Sequence, residues 1–391
     1  MRRLFSILVA VAMFGGTAFS QTAPAPAGVI VDFCSLDNGK YIGSPSIAVL
    51  PDGSYVASHD EFGPKSAEYK SAVTLVFRST DKGATWHKIS RIEGAFWSTL
   101  FVHRNALYMM GTNKAHGNVV IRRSNDGGVN WTEPCDAEHG LLVEGEYHTA
   151  PTPVLVAAGR IWRAVEYATG KSIRWPERYG AVMLSAPENS DLLNAANWTR
   201  PVSLRPDFSN CGDTDFKGWL EGNAVVGKDG SVLDILRVHV GRAADEYCAV
   251  LKCDKKGRRM SFDGFRPMEG GSKKFTIRYD AKSGKYWSIV NYVQPDFRGM
   301  FPDRVRNRLV LASSDDLQTW TMRRLLVAHP DCLTHGFQYV DWVVDGDDIV
   351  YLVRTAFDEP DGRQAKDYHN ANYLTFDRVT DFRQYSRTEM Q

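Results

Sequence analysis

The side chains in this chain that could move a proton or hold an anion are scattered, and their immediate company is what suggests chemistry. Tyr147 and His148 are adjacent in Glu146-Tyr147-His148-Thr149, and Arg163 follows in Arg160-Ile161-Trp162-Arg163. Glu221 lies in Trp219-Leu220-Glu221-Gly222-Asn223, Arg237 and His239 stand two apart, and Tyr292 and Arg354 each end an apolar run. Hydrolysis of a glycoside normally draws on two carboxylates at a defined separation. Glu221 is a candidate for one of them, and its alternative role is partner to an arginine or a sugar hydroxyl; no convincing pair stands out. Histidine and tyrosine beside arginine suit β-elimination at a uronate, which needs a cation for the carboxylate, a base for the C5 proton and an acid for the leaving oxygen. A neutral imidazole with pKa near ~6.5 accepts a proton, and a tyrosine near ~10 serves either role if an arginine depresses it.

These residues have to be positioned by β-structure. Ser79-Thr80-Asp81-Lys82-Gly83-Ala84-Thr85-Trp86, Ser124 to Trp131 and Ser313 to Trp320 all fit Ser-x-Asp-x-(Gly)-x-x-Trp. In such a turn Asp accepts backbone N–H groups, Gly takes the positive φ and Trp anchors the corner. Weaker relatives occur at Asp191 to Trp198 and at Asp254 to Gly257. Six hairpins can be read from apolar strands around turn residues: Ser46–Leu50 with Tyr55–His59, Thr99–Val102 with Leu107–Thr112, and further ones beginning at Pro153, Ala224, Phe275 and Tyr339. Hairpins followed by further strands at this spacing predict radial repetition, an all-β, single β-propeller of four-stranded blades, six by hairpin count. Val29–Phe33 is expected to pair beside Tyr373–Arg378 and close the ring. No helix of ordinary length is expected, only one short turn in Ser190–Ala196.

Composition sets the outer limits. With 47 Lys+Arg against 46 Asp+Glu the net charge is +1, so the basic footprint of a nucleic-acid binder is absent. Residues 1–20 read as a secretory signal, with Met1-Arg2-Arg3 before an apolar run too short to cross a bilayer. Residues 21–28 read as a spacer and 29–391 as one catalytic propeller, secreted or periplasmic, with no membrane contact and a monomer expected. The six cysteines, Cys34, Cys135, Cys211, Cys248, Cys253 and Cys332, show no metal-ligand spacing and are expected to be mostly buried thiols, with one disulfide as an alternative. No cofactor is required by the pattern; a structural Ca²⁺ leaves no spacing to read.

The Ser-x-Asp-x-Gly-x-x-Trp turns resemble the Asp-box repeats of the sialidase superfamily. That resemblance implies a pocket on the face opposite the Asp-box turns, an Arg-Ile-Pro motif, an arginine triad and a Tyr–Glu nucleophile pair. No Arg-Ile-Pro occurs here, and Arg266-Pro267 stands in another unit. A pocket on that face would collect the starts of first strands and the ends of second strands, which selects His59, His116, His148, His239, His335 and His369 and, with them, Tyr147, Glu166, Tyr167, Glu221, Asn223, Arg237, Asn291, Tyr292, Arg354 and Asp358. His87, His103, His139 and His329 fall elsewhere.

The stretches Gly43-Ser44-Pro45-Ser46-Ile47, Tyr147-His148-Thr149-Ala150-Pro151 and Gly336-Phe337-Gln338-Tyr339 also resemble secreted ulvan lyases, rhamnose-glucuronate lyases and related α-L-rhamnosidases. That likeness implies seven blades and a Tyr and Arg sixteen positions apart acting with histidine, which maps onto Tyr147 and Arg163, with His116 or His148 as partner and His59 as a further choice. Arg163 has an alternative as a buried support for the pocket wall. The expectation is β-elimination at L-rhamnose-α-1,4-D-glucuronate units of an acidic rhamnose-containing polysaccharide. Tyr147, His148, His116 and Arg163 would be catalytic. His59, Glu221, Arg237, His239, Tyr292, His335 and Arg354 would contact substrate, and Trp97, Trp219 and Tyr292 would stack on sugar rings. The alternatives are an α-L-rhamnosidase, a noncatalytic glycan-binding propeller and an exo-sialidase.

Overall fold

Each of the six hairpins becomes the two inner strands of an antiparallel sheet. The computed structural model describes residues 25–169, 174–210 and 215–387; residues 1–20, read above as a signal, and Cys211 lie outside them. Blade 1 runs outward through Ser46–Val49, Tyr55–Phe62, Val73–Ser79 and His87–Glu93. Blade 2 is Phe96–His103, Ala106–Thr112, Gly117–Ser124 and Leu141–His148. In blade 3, Leu155–Ala157, Arg160–Tyr167 and Gly180–Pro187 are completed by single bridges to Thr199 and Leu204 rather than a fourth strand. Blade 4 is Phe216–Val226, Val232–Val240, Tyr247–Cys253 and Met260–Pro267, and blade 5 is Ile277–Asp280, Lys285–Asn291, Arg308–Ser314 and Trp320–Ala328. Blade 6 takes Gly336–Asp345, Asp348–Ala356 and Tyr373–Val379 from the C-terminal end and Val29–Phe33 from the N-terminal end, as expected for ring closure. The seven blades implied by the lyase likeness are not what the described residues form; they make six. Helical residues in the described chain are confined to short 3-10 segments such as Ala195–Asn197.

Burial follows the strand order. Middle strands are covered on both faces and read as near-continuous apolar runs, as in Ala106–Thr112, whereas outer strands such as His87–Glu93 are largely exposed. Between blades the core is aromatic: Trp162, Trp287 and Trp342 are fully buried, each removing roughly 200 Å² from water, or about 5 kcal/mol of transfer free energy.

The Asp-box turns are built as the sequence predicts. Asp81 Oδ1 accepts Ser79 Oγ–H at 2.7 Å and Thr85 N–H at 2.9 Å, and Trp86 Nε1 donates to Gly83 O at 3.2 Å. A Cβ on Gly83, at φ +91°, would meet Phe376 of blade 6 at 2.1 Å, so only glycine lets this corner pack. The second turn repeats the pattern through Ser124, Asp126 and Trp131. The third uses Ser314 and Asp316, one residue later than a Ser313 start; Leu317 takes the positive φ (62°), and Trp320 Nε1 is left without a partner. Cys34, Cys135, Cys248, Cys253 and Cys332 are free thiols, the last three buried.

Candidate functional site

Three of the inner strands break their ladder at the same level. Register shifts fall between Phe96 and Thr99 in blade 2, Leu220 and Asn223 in blade 4, and Gln338 and Asp341 in blade 6. At each shift one non-glycine residue takes left-handed φ: Trp97 (51°), Glu221 (58°) and Tyr339 (55°). A bulge of this kind re-aims a side chain, and such strain persists only when the surroundings over-determine it. Here the preceding blade supplies the restraint each time. Asp60 Oδ2 accepts Trp97 N–H at 2.9 Å, Glu166 Oε1 accepts Gly222 N–H at 3.0 Å, and Asn291 Nδ2 donates to Phe337 O at 2.7 Å.

The three bulged side chains project into one cavity of about 380 Å³ at the mouth of the ring, lined also by His116, His148, Tyr179, Arg237, Arg306 and Arg354. Its lining comes from starts of first strands, ends of second strands and the loops beyond them, as the Asp-box geometry leads one to expect. Tyr339 Oη donates to Glu221 Oε1 at 2.9 Å, and Arg237 Nη1 donates to Glu221 Oε2, also at 2.9 Å. Burial alone would raise the Glu221 pKa, but Arg237, His148 and the hydrogen bonds from Arg237 and Tyr339 outweigh it and hold the carboxyl below its usual value. Burial and the charge of Glu221 raise Tyr339, against the opposing pull of Arg237, Arg306 and Arg354. The guanidinium carbons of Arg306 and Arg354 stand 5.7 and 5.2 Å from the Tyr339 ring centre. Arg306, from the loop between the second and third strands of blade 5, and Arg354, from blade 6, are both buried, and burial pulls Arg354 down to about 10. Three guanidiniums around one carboxylate and one phenol make a site for an anion.

A second group of titratable residues shares the cavity. His148 Nδ1 lies 2.8 Å from Glu166 Oε2, and His116 Nε2 lies 3.0 Å from Tyr179 Oη. His148 packs edge-on to Trp97 at 4.5 Å. Burial, His148 and Arg178 push His116 down to about 3, so its imidazole is neutral. His148 reaches Glu166 because the outer strand of blade 2 crosses to blade 3, pairing His148 with Glu166 and Tyr147 with Tyr167. Directly opposed residues share a face, and neighbours along a strand point to opposite faces.

That alternation corrects the role of Tyr147. With His148 in the cavity, Tyr147 is turned into the core, 1% exposed, its ring 5.2 Å from Tyr167 and its hydroxyl accepting from Arg200 at 2.7 Å. Arg163 is fully buried and donates to Thr149, Ala150 and Thr152, bracing the link between blades 2 and 3; it supports the wall and does not reach the cavity. His59 points away for the same alternation reason: Asp60 faces inward, and His59 is held by Asp32 at 2.8 Å. His335 is occupied by Asp331 and Asp358 and stacked on His329 at 3.6 Å. Trp219 is buried among Phe216 and Phe262, and Leu220 takes its place in the lining. Tyr292 follows the inward-facing Asn291 and is not a lining residue. His239 sits behind the rim, edge-on to the exposed Trp175 at 4.8 Å. Of the residues chosen from sequence, His116, His148, Glu221, Arg237, Arg354, His369 and Trp97 come together.

Sequence reasoning passed over Tyr339, Arg306, Tyr179 and Trp175. Arg306 had a readable signal, the basic run Arg304-Val305-Arg306-Asn307-Arg308 in a loop on the pocket face. Tyr339 had none, because its direction is set by a bulge. Among the described residues, Cys135, Asp136 and His139 bring ligand atoms within 4.8 Å of one another, but this trio is exposed and lies apart from the cavity lining.

No protein-family model and no curated protein matches the sequence. Solved structures do match. An α-L-arabinanase from Penicillium chrysogenum, complexed with arabinobiose, superimposes with TM-score 0.58 at 13% identity, covering 92% of this chain and 98% of that one. The Hadza microbial sialidase Hz136 gives TM-score 0.60 at 14% identity over 90% of this chain and 68% of that one. Trypanosoma rangeli sialidase gives 0.60 at 14%, over 93% and 61%. At these identities the likeness is one of fold, and the fold is a β-propeller.

Proposed function

We propose that this protein is a glycan-active hydrolase that removes an acidic sugar carrying its carboxylate on the anomeric carbon, as sialic acids do. The observation that carries this is the Tyr339–Glu221 contact at 2.9 Å among Arg237, Arg306 and Arg354. An anionic nucleophile approaching a carbon that bears a carboxylate is repelled, whereas a phenol that passes its proton to a neighbouring carboxylate attacks as a neutral group. Tyrosine nucleophiles are used in this way by sialidases. In this reading Glu221 is the base for Tyr339, and the three guanidiniums hold the sugar carboxylate. No arginine stands in Gly43-Ser44-Pro45, at the rim of the cavity; Arg354 of blade 6 supplies the third cation. The likeness to sialidases and an arabinanase in fold is in keeping with action on glycans.

The direct test is to incubate the protein with 2,3-difluorosialic acid and digest it for mass spectrometry. A sugar adduct on the peptide containing Tyr339 is expected. No adduct, together with no turnover of a sialoside, refutes the reading.

A second reading, β-elimination at rhamnose–glucuronate linkages, is favoured by one observation, the His116–Tyr179 contact at 3.0 Å beside His148. Tyr179 would then take the part first given to Tyr147. Gum arabic or ulvan would yield an ultraviolet-absorbing unsaturated uronate; rhamnose release without that chromophore would point to the hydrolytic α-L-rhamnosidase reaction.

A further inference from the structure

Glu166 uses its two oxygens on two different parts of the cavity. Oε2 meets His148 Nδ1 at 2.8 Å, and Oε1 accepts the N–H of Gly222, the residue after Glu221, at 3.0 Å. One fully buried carboxylate therefore orients an imidazole and pins the bulge that presents the base of the nucleophile. The other ring nitrogen of His148, Nε2, has no hydrogen-bond partner among the described residues, and His148 lines the cavity. Asp234 lies behind, fully buried, with both carboxylate oxygens unpartnered. Burial, and then the neighbouring Glu166, push the Asp234 pKa well above the ordinary carboxylate range.

We propose that His148 is the proton donor to the departing glycosidic oxygen, with Glu166 as the residue that positions it. This rests on Tyr339 as nucleophile. In the first step the Tyr339 oxygen bonds to the anomeric carbon and its proton passes to Glu221. The carbon–oxygen bond to the leaving group breaks as His148 Nε2–H protonates that oxygen, and the aglycone departs as a neutral alcohol. In the second step water attacks the anomeric carbon, giving one proton back to His148, and the Tyr339 oxygen leaves with the proton returned from Glu221. His116 does not fit this part: its Nε2 is engaged by Tyr179 and its ring is neutral. The titratable groups around His148 are Glu166 of blade 3, His116 of blade 2, Tyr179 of the loop before the third strand of blade 3, and Glu221 of blade 4.

Leaving-group dependence tests this. His148→Ala, His148→Gln, Glu166→Gln and Tyr339→Phe are compared on methylumbelliferyl sialoside, whose phenolate needs little protonation, and on sialyllactose, whose sugar alkoxide needs a full proton. Both His148 variants should lose on the order of 100-fold on sialyllactose and less than tenfold on the aryl substrate. Added imidazole should restore part of the alanine variant's activity. Glu166→Gln should lose more on sialyllactose than on the aryl substrate, and the basic limb of its kcat/KM profile on sialyllactose should move to lower pH. Equal losses on both substrates in the His148 variants, or none on either, overturn the assignment. Tyr339→Phe should lose both substrates; if it retains both, the nucleophile reading fails and this one with it. A wild-type protein inert on both substrates also overturns both.

Discussion

Replacing Glu221 by Gln probes the centre of the site and the fold together. In the native protein the carboxylate accepts from Arg237 and Tyr339, each at 2.9 Å. At that separation and an effective dielectric of about 20, the gross attraction between Arg237 and Glu221 is about 6 kcal/mol. Part of this offsets the desolvation of both ions, and breaking a buried pair by removing one charge typically costs about 3–5 kcal/mol. Gln keeps a carbonyl oxygen for one of the two donors, so about 3 kcal/mol is expected, the low end of that range. The folded-state pKa of Glu221 is lowered, so its contribution is present above the unfolded value near 4.5 and is lost as pH falls through the folded value. Urea unfolding of wild type and Glu221→Gln should therefore show a gap of about 3 kcal/mol at neutral pH, with unchanged m, closing in acid. Turnover of a sialoside should fall by about 100-fold or more, since Tyr339 loses its proton acceptor. Equal stability at pH 7, or a gap that persists unchanged into acid, would show that the Arg237–Glu221 charge pair does not hold this part of the ring together.

Two further perturbations separate the pocket from its supports. Burial lifts Asp60 from 3.8 to about 7 against the hydrogen bonds from Thr74 and Trp97; its stabilising proton is retained below about pH 4 and lost as pH rises toward 7. Wild type should lose up to about 4 kcal/mol relative to Asp60→Asn across that interval, and a difference in unfolding free energy that does not vary with pH would contradict it. Tyr147→Phe removes only a hydroxyl that accepts from Arg200. It should leave turnover within about twofold and cost about 1 kcal/mol of stability; a large loss of kcat in a folded variant would return Tyr147 to the chemistry.

Much of the scaffold was legible because it is local. The six hairpins, the Asp-box corners and the closing strand Val29–Phe33 follow from alternation and turn residues a few positions apart, and their pairing matches what those patterns specify. The likeness to Asp-box propellers implies which strand ends meet at the mouth of the ring, and His116, His148, Glu221, Arg237, Arg354 and His369, selected by that implication, line the cavity. The errors have a common cause. Tyr147 against His148 and His59 against Asp60 are one-residue decisions, and a period of two converts each into the opposite face.

What the sequence determined by itself is therefore the ring and the face of the ring that carries polar residues. The tertiary structure decided which side chains reach its centre. Trp97, Glu221 and Tyr339 point inward because Asp60, Glu166 and Asn291 of the preceding blades hold the neighbouring backbone open, across 37, 56 and 46 residues of chain. A bulge sustained by a buried acceptor or donor from another sheet leaves no mark on the local pattern, since the energy that keeps the residue at positive φ is supplied only after the blades have packed.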